Sequence, residues 1–387
     1  MSVVCSIFSQ ILQLFSRAQF QAAVEKHQAE RHARGFSSWS QFIAMLFCQL
    51  GRAHSLSEIT QGLAASEGKL KHLGLNQAPA KSTLAYANQH RPWELFQTVF
   101  SPLLERCRTL AAGRKSKFRF KNKLVSLDAT TIDLCLELYD WAHFRRTKGA
   151  VKLHLLLDHD GYLPSFAVLT DGKTHEIRVA RELRFDPGAI LVVDRGYNDY
   201  TWFETLTHQR VWFVTRMKEN ADYLVSEDRP VTPGKGVRSD QIISLLPHVR
   251  QNKDLFFRRI VFWDEKNQKE LVFLTNHLEF AASTIAALYK ERWHIELFFK
   301  SLKQLCKIKT FVGASPNAVK TQVWTALIAM LVLRFLQLKA TFNWALSNLV
   351  ALLRQQLFVH RDLWAWLDQP FQPPPPPPAR QLPLNLA

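Results

Sequence analysis

Three acidic residues stand where a carboxylate could do chemistry. Asp128 and Asp194 each follow an apolar run, residues 124–127 and 189–193, of the kind that forms a short buried strand. A carboxylate at a strand end projects from the sheet edge toward solvent, where a cation can reach it. One such Asp is ordinary, since strand ends often carry Asp as a turn residue; two in matching contexts are more informative. The third acid, Glu296, lies in the helical stretch LYKERWHIELFFKSLKQ. Arg292 precedes it by four residues, Lys300 follows by four and Lys303 by seven, and Tyr289 lies three before Arg292. These steps set all five on one helical face. A single acid among three bases has its charged form favoured and is ready for a metal ion. By pattern alone, the simpler reading is a surface helix laced with i,i+4 salt bridges.

The elements that must position these residues are legible in the periodicity. Residues 1–110 read as helices: Phe8, Ile11, Leu12 and Phe15 recur at helical spacing, and Trp39, Phe42, Ile43, Leu46 and Phe47 line one side of a second helix. Ser55 and Ser82 are candidate N-caps, and Gly68, Gly74 and Pro92 interrupt the pattern. Segments 56–63 and 82–90 are spaced for a helix-turn-helix-like pair, with Lys81 and Arg91 placed to meet phosphates; a plain helical bundle is the alternative. A basic stretch, RKSKFRFKNK at 114–123, is either a solvated linker or a segment lying along a nucleic-acid backbone.

From residue 124 the period becomes that of strands. Runs at 124–127, 151–157 and 163–169 are strand-like, the last two joined by the turn Asp158-His159-Asp160-Gly161. Helix at 175–183, strand at 189–193, helix at 198–208 and strand at 211–216 complete a mixed α/β pattern. Residues 218–282 read as a β-rich insertion, with strands at 256–263 and 270–276. Helix returns from 283 to about 353, and prolines 373–378 form a polyproline tail that cannot enter a core.

Composition narrows the partner. The 387 residues carry 50 Lys+Arg against 33 Asp+Glu, a formal charge of +17, which calls for a polyanion such as nucleic acid or an anionic membrane surface. Five scattered cysteines (Cys5, Cys48, Cys107, Cys135, Cys306) without a CxxC pair argue for a reducing compartment. The start shows no signal peptide, and the apolar run at 323–333 is short of the roughly 20 residues of a span. A cytoplasmic, nucleoid-associated protein with no membrane partner is expected.

The spacing Tyr289-x2-Arg292-x3-Glu296-x6-Lys303, with SLDATTIDL around Asp128 and VVDRGYNDY around Asp194, resembles the YREK signature and strand-end motifs of bacterial insertion-sequence DDE transposases of the IS-four family. The resemblance covers about residues 120–345 and is weaker over the N-terminal helices. It implies a ribonuclease H-like catalytic core with a β-rich insertion, preceded by an all-α domain at 1–110 that binds transposon ends, and followed by a helical and proline-rich tail at 346–387. Asp128, Asp194 and Glu296 would then be the catalytic triad, holding two Mg²⁺ ions for which Mn²⁺ can substitute. Tyr289, Arg292, Lys300 and Lys303 would contact DNA phosphates. The implied activity is cut-and-paste transposition through phosphodiester hydrolysis and strand transfer. Its partners would be terminal inverted repeats, target DNA and a second copy of the chain in the synaptic complex. In this family a flipped base stacks on a Trp of the insertion; Trp212 and Trp263 lie in or beside it, and a core role is the simpler reading of each. His143, His154, His175 and His294 lie near the motifs without zinc-ligand spacing. The alternatives are an inactive or domesticated DNA-binding relative, and a structure-specific nuclease on the same core.

Overall fold

The computed structural model describes residues 5–31, 33, 35–66, 68–112, 117–135, 139, 141–145, 148–231, 235–305 and 311–372. The proline run 373–378, Cys306 and the first part of the basic stretch, 114–116, lie outside them.

The chain opens with helices α1 (Ile7–Leu12), α2 (Arg17–Lys26), α3 (Ser38–Gly51), α4 (Leu56–Ala64), α5 (Leu70–Leu73), α6 (Lys81–His90) and α7 (Glu94–Ala112). Serine caps explain several starts: Ser6, Ser16, Ser37 and Ser55 each accept the N–H three residues on. Glu58 reaches back from α4 to the N–H of His54, which closes a capping-box-like turn at 2.9 Å. Ser82 is not a cap, because α6 begins one residue earlier, at Lys81, without a side-chain cap. Helices α4 and α6 do pack together across α5. Arg91, however, turns inward: its guanidinium donates to Gln41 Oε1 at 3.3 Å and to the Phe36 carbonyl, and lies over the Phe36 ring.

Next come β1 (Leu124–Leu134), β2 (His143–Arg145), β3 (Lys148–Asp158), β4 (Leu163–Asp171), α8 (Glu176–Glu182), β5 (Ile190–Val193), α9 (Tyr200–His208) and β6 (Trp212–Arg216), with a single 3₁₀ turn at Arg195–Tyr197. Strands β7 (Tyr223–Asp228) and β8 (Val237–Leu245), helix α10 (Leu246–Val249), then β9 (Phe257–Asp264) and β10 (Lys269–Thr275) fill the predicted insertion. Helices α11 (Ala282–Glu291), α12 (Trp293–Leu305), α13 (Pro316–Lys339), α14 (Leu346–Gln356) and α15 (Leu363–Asp368) follow.

All the strands form one mixed sheet in the order β2-β3-β1-β5-β6-β10-β9-β8-β7, with β4 on β3. Strands β1, β5 and β6 run parallel; β3 is antiparallel to β1, and β4 to β3. The insertion is therefore not a separate β body, since β10 pairs antiparallel with β6 and carries β9, β8 and β7 outward. A buried pair fastens it: Arg258 on β9 donates from Nε to Asp240 Oδ1 on β8 at 2.7 Å, and from Nη2 to Oδ2.

One apolar core lies under α8 and α9 on one sheet face, through Leu127, Leu191, Val193, Phe203 and Phe213. Another lies under α11 on the opposite face, through Ile190, Val192, Val214, Ile285 and Leu288. The largest core joins the N-terminal helices to β3, β4 and α12–α15. Helix α13 is its axis: 24 residues long, buried along most of its length, and packed on α3, α6, α7 and α14. It exceeds the apolar run read from the sequence and has the length and composition to cross a membrane, yet protein surrounds it here.

Candidate active site

Strand β1 runs on past Asp128 to Leu134, which corrects the expectation that it ends there. The β-branched residues Thr130, Thr131 and Ile132 continue the ladder with β3. What ends near Asp128 is the pairing with β5, whose register stops at Leu127↔Val193. Beyond that point β5 turns into the 3₁₀ segment at Asp194, so the side of β1 that faced β5 is open at Asp128. Two neighbouring parallel strands thus part with a carboxylate at each fork.

Helix α12 lies along β1 and supplies Glu296 from its first turn. Its buried face, Ile295, Phe298, Phe299 and Leu302, fixes its rotation. Asp128, Asp194 and Glu296 line one open cleft of about 450 Å³, together with Thr130, Arg292, Lys300 and Lys303. The single helical face read from spacing is corrected here: Tyr289 lies in α11, Arg292 is the residue at which α11 ends, and Glu296, Lys300 and Lys303 lie in α12, yet the cleft still gathers Arg292, Glu296, Lys300 and Lys303 with the two strand acids.

Inside the cleft the charges are already engaged. Arg292 Nη1 lies 3.5 Å from Asp128 Oδ2, while Nη2 donates to Glu296 Oε1, so one guanidinium bridges two carboxylates. Tyr289 donates its hydroxyl to Asp194 Oδ1 at 3.4 Å. Lys303 Nζ donates to the Thr131 carbonyl at 2.9 Å, and Lys300 is exposed at the rim. Burial pushes the Asp128 carboxyl up to about 6, with repulsion from Asp194 and Glu176 added; the Ala129 N–H and Arg292 pull the other way. Burial also raises the Tyr289 phenol to about 12. Burial would lower Arg292, but Tyr289, Glu296 and Asp128 outweigh it and hold the group above its ordinary value.

The donor set suits a hard divalent cation, because carboxylate oxygens are the ligands such ions take. Among the described residues, no three acidic, His or Cys side chains converge tightly enough to hold a metal as they stand. The Arg292 guanidinium lies between Asp128 and Glu296 and offsets part of their charge.

Two residues went unread in the sequence. Glu176, at the start of α8, is near enough to raise Asp128 and pairs with Lys152 at 3.1 Å. Tyr197, which ends the 3₁₀ turn, keeps a buried hydroxyl without a hydrogen-bond partner among the described residues. An acidic first turn on a short helix is too common a signal to have marked Glu176.

The other candidates fall elsewhere. Trp212 opens β6, beside Ile190 at the start of β5 and so at the far end from Asp194, and packs on His277 at 4.8 Å. Trp263 on β9 lies under the Arg238 guanidinium at 4.3 Å. His154 is fully buried against Thr170, with burial lowering it to about 4, and His175 is exposed before α8. His294 meets Tyr162 and Glu291 rather than the cleft acids, and the side chain of His143 lies outside the described residues.

Comparison with known proteins identifies the core. The family described as "Transposase DDE domain" matches residues 119–332, and a "Domain of unknown function" family matches residues 5–76. "Putative transposase y4zB" of Sinorhizobium fredii is 30% identical over 304 residues, 77% of this chain and 82% of that protein. "Probable transposase for insertion sequence element IS5377" of Geobacillus stearothermophilus is 28% identical over 270 residues, 69% of this chain and 70% of that one. "Putative transposase for insertion sequence element IS4SA" of Synechocystis is 24% identical over 260 residues, 66% and 71% of the two chains. A solved piggyBac transposase synaptic complex with hairpin DNA overlays with a TM-score of 0.43 at 10% identity, over 91% of this chain and 78% of that one. With its DDE domain spanning more than half its length, the chain belongs to the DDE transposases of bacterial insertion sequences, enzymes that cleave DNA and transfer its strands.

Proposed function

We propose that this enzyme moves its element by cut-and-paste, with Asp128, Asp194 and Glu296 as the catalytic triad. The observation that carries the reading is the single cleft into which β1, the end of β5 and α12 deliver these carboxylates beside Arg292, Lys300 and Lys303. The strand order β4-β3-β1-β5-β6, with the last three parallel and the first two antiparallel, supports a ribonuclease H-like core.

The triad would hold two Mg²⁺ ions, or Mn²⁺ in their place, which when bound activate the attacking water or 3′-hydroxyl and stabilise the leaving oxygen. Asp128 and Asp194 are set by sheet backbone and Glu296 by a packed helix, so the donors are held with little freedom. Arg292 is engaged with two acids, Asp128 and Glu296, which would be the carboxylates that hold the cation. The planar fork of Arg292 suits a phosphate of the transposon end. Lys300 and Lys303 add charge that fixes the strand in line for attack. Tyr289 orients Asp194 through its hydroxyl.

Terminal inverted repeats and target DNA are the proposed substrates. The N-terminal helices would contribute to end recognition, and two copies of the chain would join in the synaptic complex, in the cytoplasm at the nucleoid. The test is nicking and strand transfer on a duplex carrying the element's own end, beside a scrambled duplex, in Mg²⁺. Asp128→Asn, Asp194→Asn and Glu296→Gln are each expected to abolish both steps. Nicking that survives in any of these variants removes that residue from the triad.

A further inference from the structure

The basic stretch before β1 has a structure that the cleft does not explain. Through residues 117–123 exposed and half-buried positions alternate: Lys117, Arg119, Lys121 and Lys123 face out, while Phe118, Phe120 and Asn122 face in. The inward side is tied down. Phe118 stacks on Phe120 at 4.9 Å, Phe120 on Phe280 at 5.0 Å, Phe280 on His277 at 3.7 Å, and His277 meets Trp212 at 4.8 Å. Asn122 donates to the Gly188 carbonyl at 2.6 Å. The two end cations are pinned as well, Lys117 to the buried Glu291 and Lys123 to the buried Asp158 at 3.1 Å. The middle pair differs: among the described residues, Arg119 and Lys121 have no carboxylate within ion-pair distance.

A solvated linker needs none of this. An aromatic chain running from Phe118 to Trp212 and two buried acids hold the segment in one path, and that path presents two unpaired cations to solvent. Cations two residues apart on the same outward side of a pinned segment match a regularly charged polymer better than a small anion. We propose that residues 117–123 are a rail for the sugar-phosphate backbone of DNA, with Arg119 and Lys121 each contacting a phosphate without reading sequence. The proposal rests on the reading of the cleft as the DNA-cleaving centre. Lys121 precedes Asp128 by seven residues, a reach of at most about 23 Å along extended chain. Arg119 precedes Asp128 by nine, a reach of at most about 30 Å, so the phosphates on the rail would lie within about nine base pairs of the cut, at about 3.4 Å of duplex per pair. The rail is also coupled to the cleft, since Glu291, which pins Lys117, ends the helix immediately before α12.

The experiment compares the full-length protein with the double variant Arg119→Gln/Lys121→Gln. Affinity is measured for the element's end duplex and for a scrambled duplex across a salt series, without divalent metal. Each phosphate contact adds about 0.9 to the slope of log affinity against log salt. The double variant is expected to lose about 1.8 of that slope, equally on both duplexes, and the exchange Arg119→Lys/Lys121→Arg is expected to restore it. A double variant with the parent slope overturns the rail. A loss confined to the end duplex also overturns it, because the contacts would then read sequence. Nicking of the end duplex by the parent protein in Mg²⁺ tests the cleft separately. A parent that nicks beside a double variant of unchanged slope defeats only the rail; a parent that binds neither duplex defeats both readings.

Discussion

At the scale of single residues, burial opposes the charge on Asp128, and the Ala129 N–H and the Arg292 guanidinium offset part of that cost. Asp128 is raised to about 6 by burial, so at neutral pH it is charged at some expense to the fold. An acid whose folded pKa lies above its unfolded value contributes stability below the unfolded pKa, about 3.8, and loses it as pH rises through about 6. In metal-free buffer Asp128→Asn should therefore be more stable than the parent at pH 7.5, by on the order of 1–2 kcal/mol, with the gap closing toward pH 4. Urea unfolding at the two pH values measures this, and a parent that is the more stable at both would contradict the burial argument. The same variant should keep DNA binding while losing nicking. Arg292→Ala should act differently, because it leaves all three carboxylates but no longer positions the strand. A misplacement of about 1 Å can lower a rate on the order of 100-fold. We expect the loss to be larger on the element's end than on a scrambled duplex, in paired nicking assays. Equal losses would assign Arg292 a general electrostatic role.

At the scale of elements, two junctions test what holds the sheet together. The Arg258–Asp240 pair is buried on both sides and bidentate, at the β8–β9 seam. Asp240→Ala would leave a buried guanidinium without its partner and should cost about 3–5 kcal/mol. The double replacement Asp240→Leu/Arg258→Met should recover much of that in a denaturant titration. The β3–β4 turn is the second junction. Gly161 has φ +81°, and a Cβ there would come 2.9 Å from Ala111 Cβ near the end of α7. Gly161→Ala combines left-handed strain with that clash, so a loss of about 1–3 kcal/mol is expected. A neutral result would mean that α7 can yield without disturbing the sheet.

At the scale of the whole molecule, the helices before β1 share their core with those after the sheet. Ile7 and Phe8 donate backbone N–H groups to Val359 and Leu357 at 3.0 and 2.8 Å, and Gln10 bonds both Arg361 and Leu363. Helix α7 packs along α13, whose apolar surface would meet water without it. Removing residues 1–112 should thus yield an aggregating chain rather than a catalytic core that has merely lost its preference for end DNA. Size exclusion and circular dichroism of the truncated protein test this, and a monodisperse, folded product would show that the sheet and α11–α15 stand alone.

The sequence by itself determined whatever depends on neighbours along the chain. The strand-like runs at 151–157 and 163–169, with the turn Asp158-His159-Asp160-Gly161 between them, specified a hairpin. The steps of four and seven after Glu296 placed Lys300 and Lys303 with it on one helix, α12, while the break at Arg292, which spacing did not show, left Tyr289 on α11. Ser55 and Glu58 capped a helix as their spacing required. These are consequences of side-chain direction and local hydrogen bonding, which hold before anything packs. Tertiary structure decided what depends on residues far apart. Strand β1 could continue past Asp128 because β3 offered it a partner, and the apolar run before Asp128 carried no sign of that. The insertion joined the main sheet because β10 found β6, and the first and last helices closed one core around α13. Arg91, read as a phosphate contact, met Gln41 and the Phe36 carbonyl instead, and Arg292, proposed to meet a phosphate, is held in this structure by Asp128 and Glu296. A charged side chain's nearest partner is fixed by burial and by elements tens to hundreds of residues away, and the hydrophobic burial that brings those elements together is non-directional. The spacing of a motif therefore names the groups that can act, while the packing of distant segments decides which of them face one another.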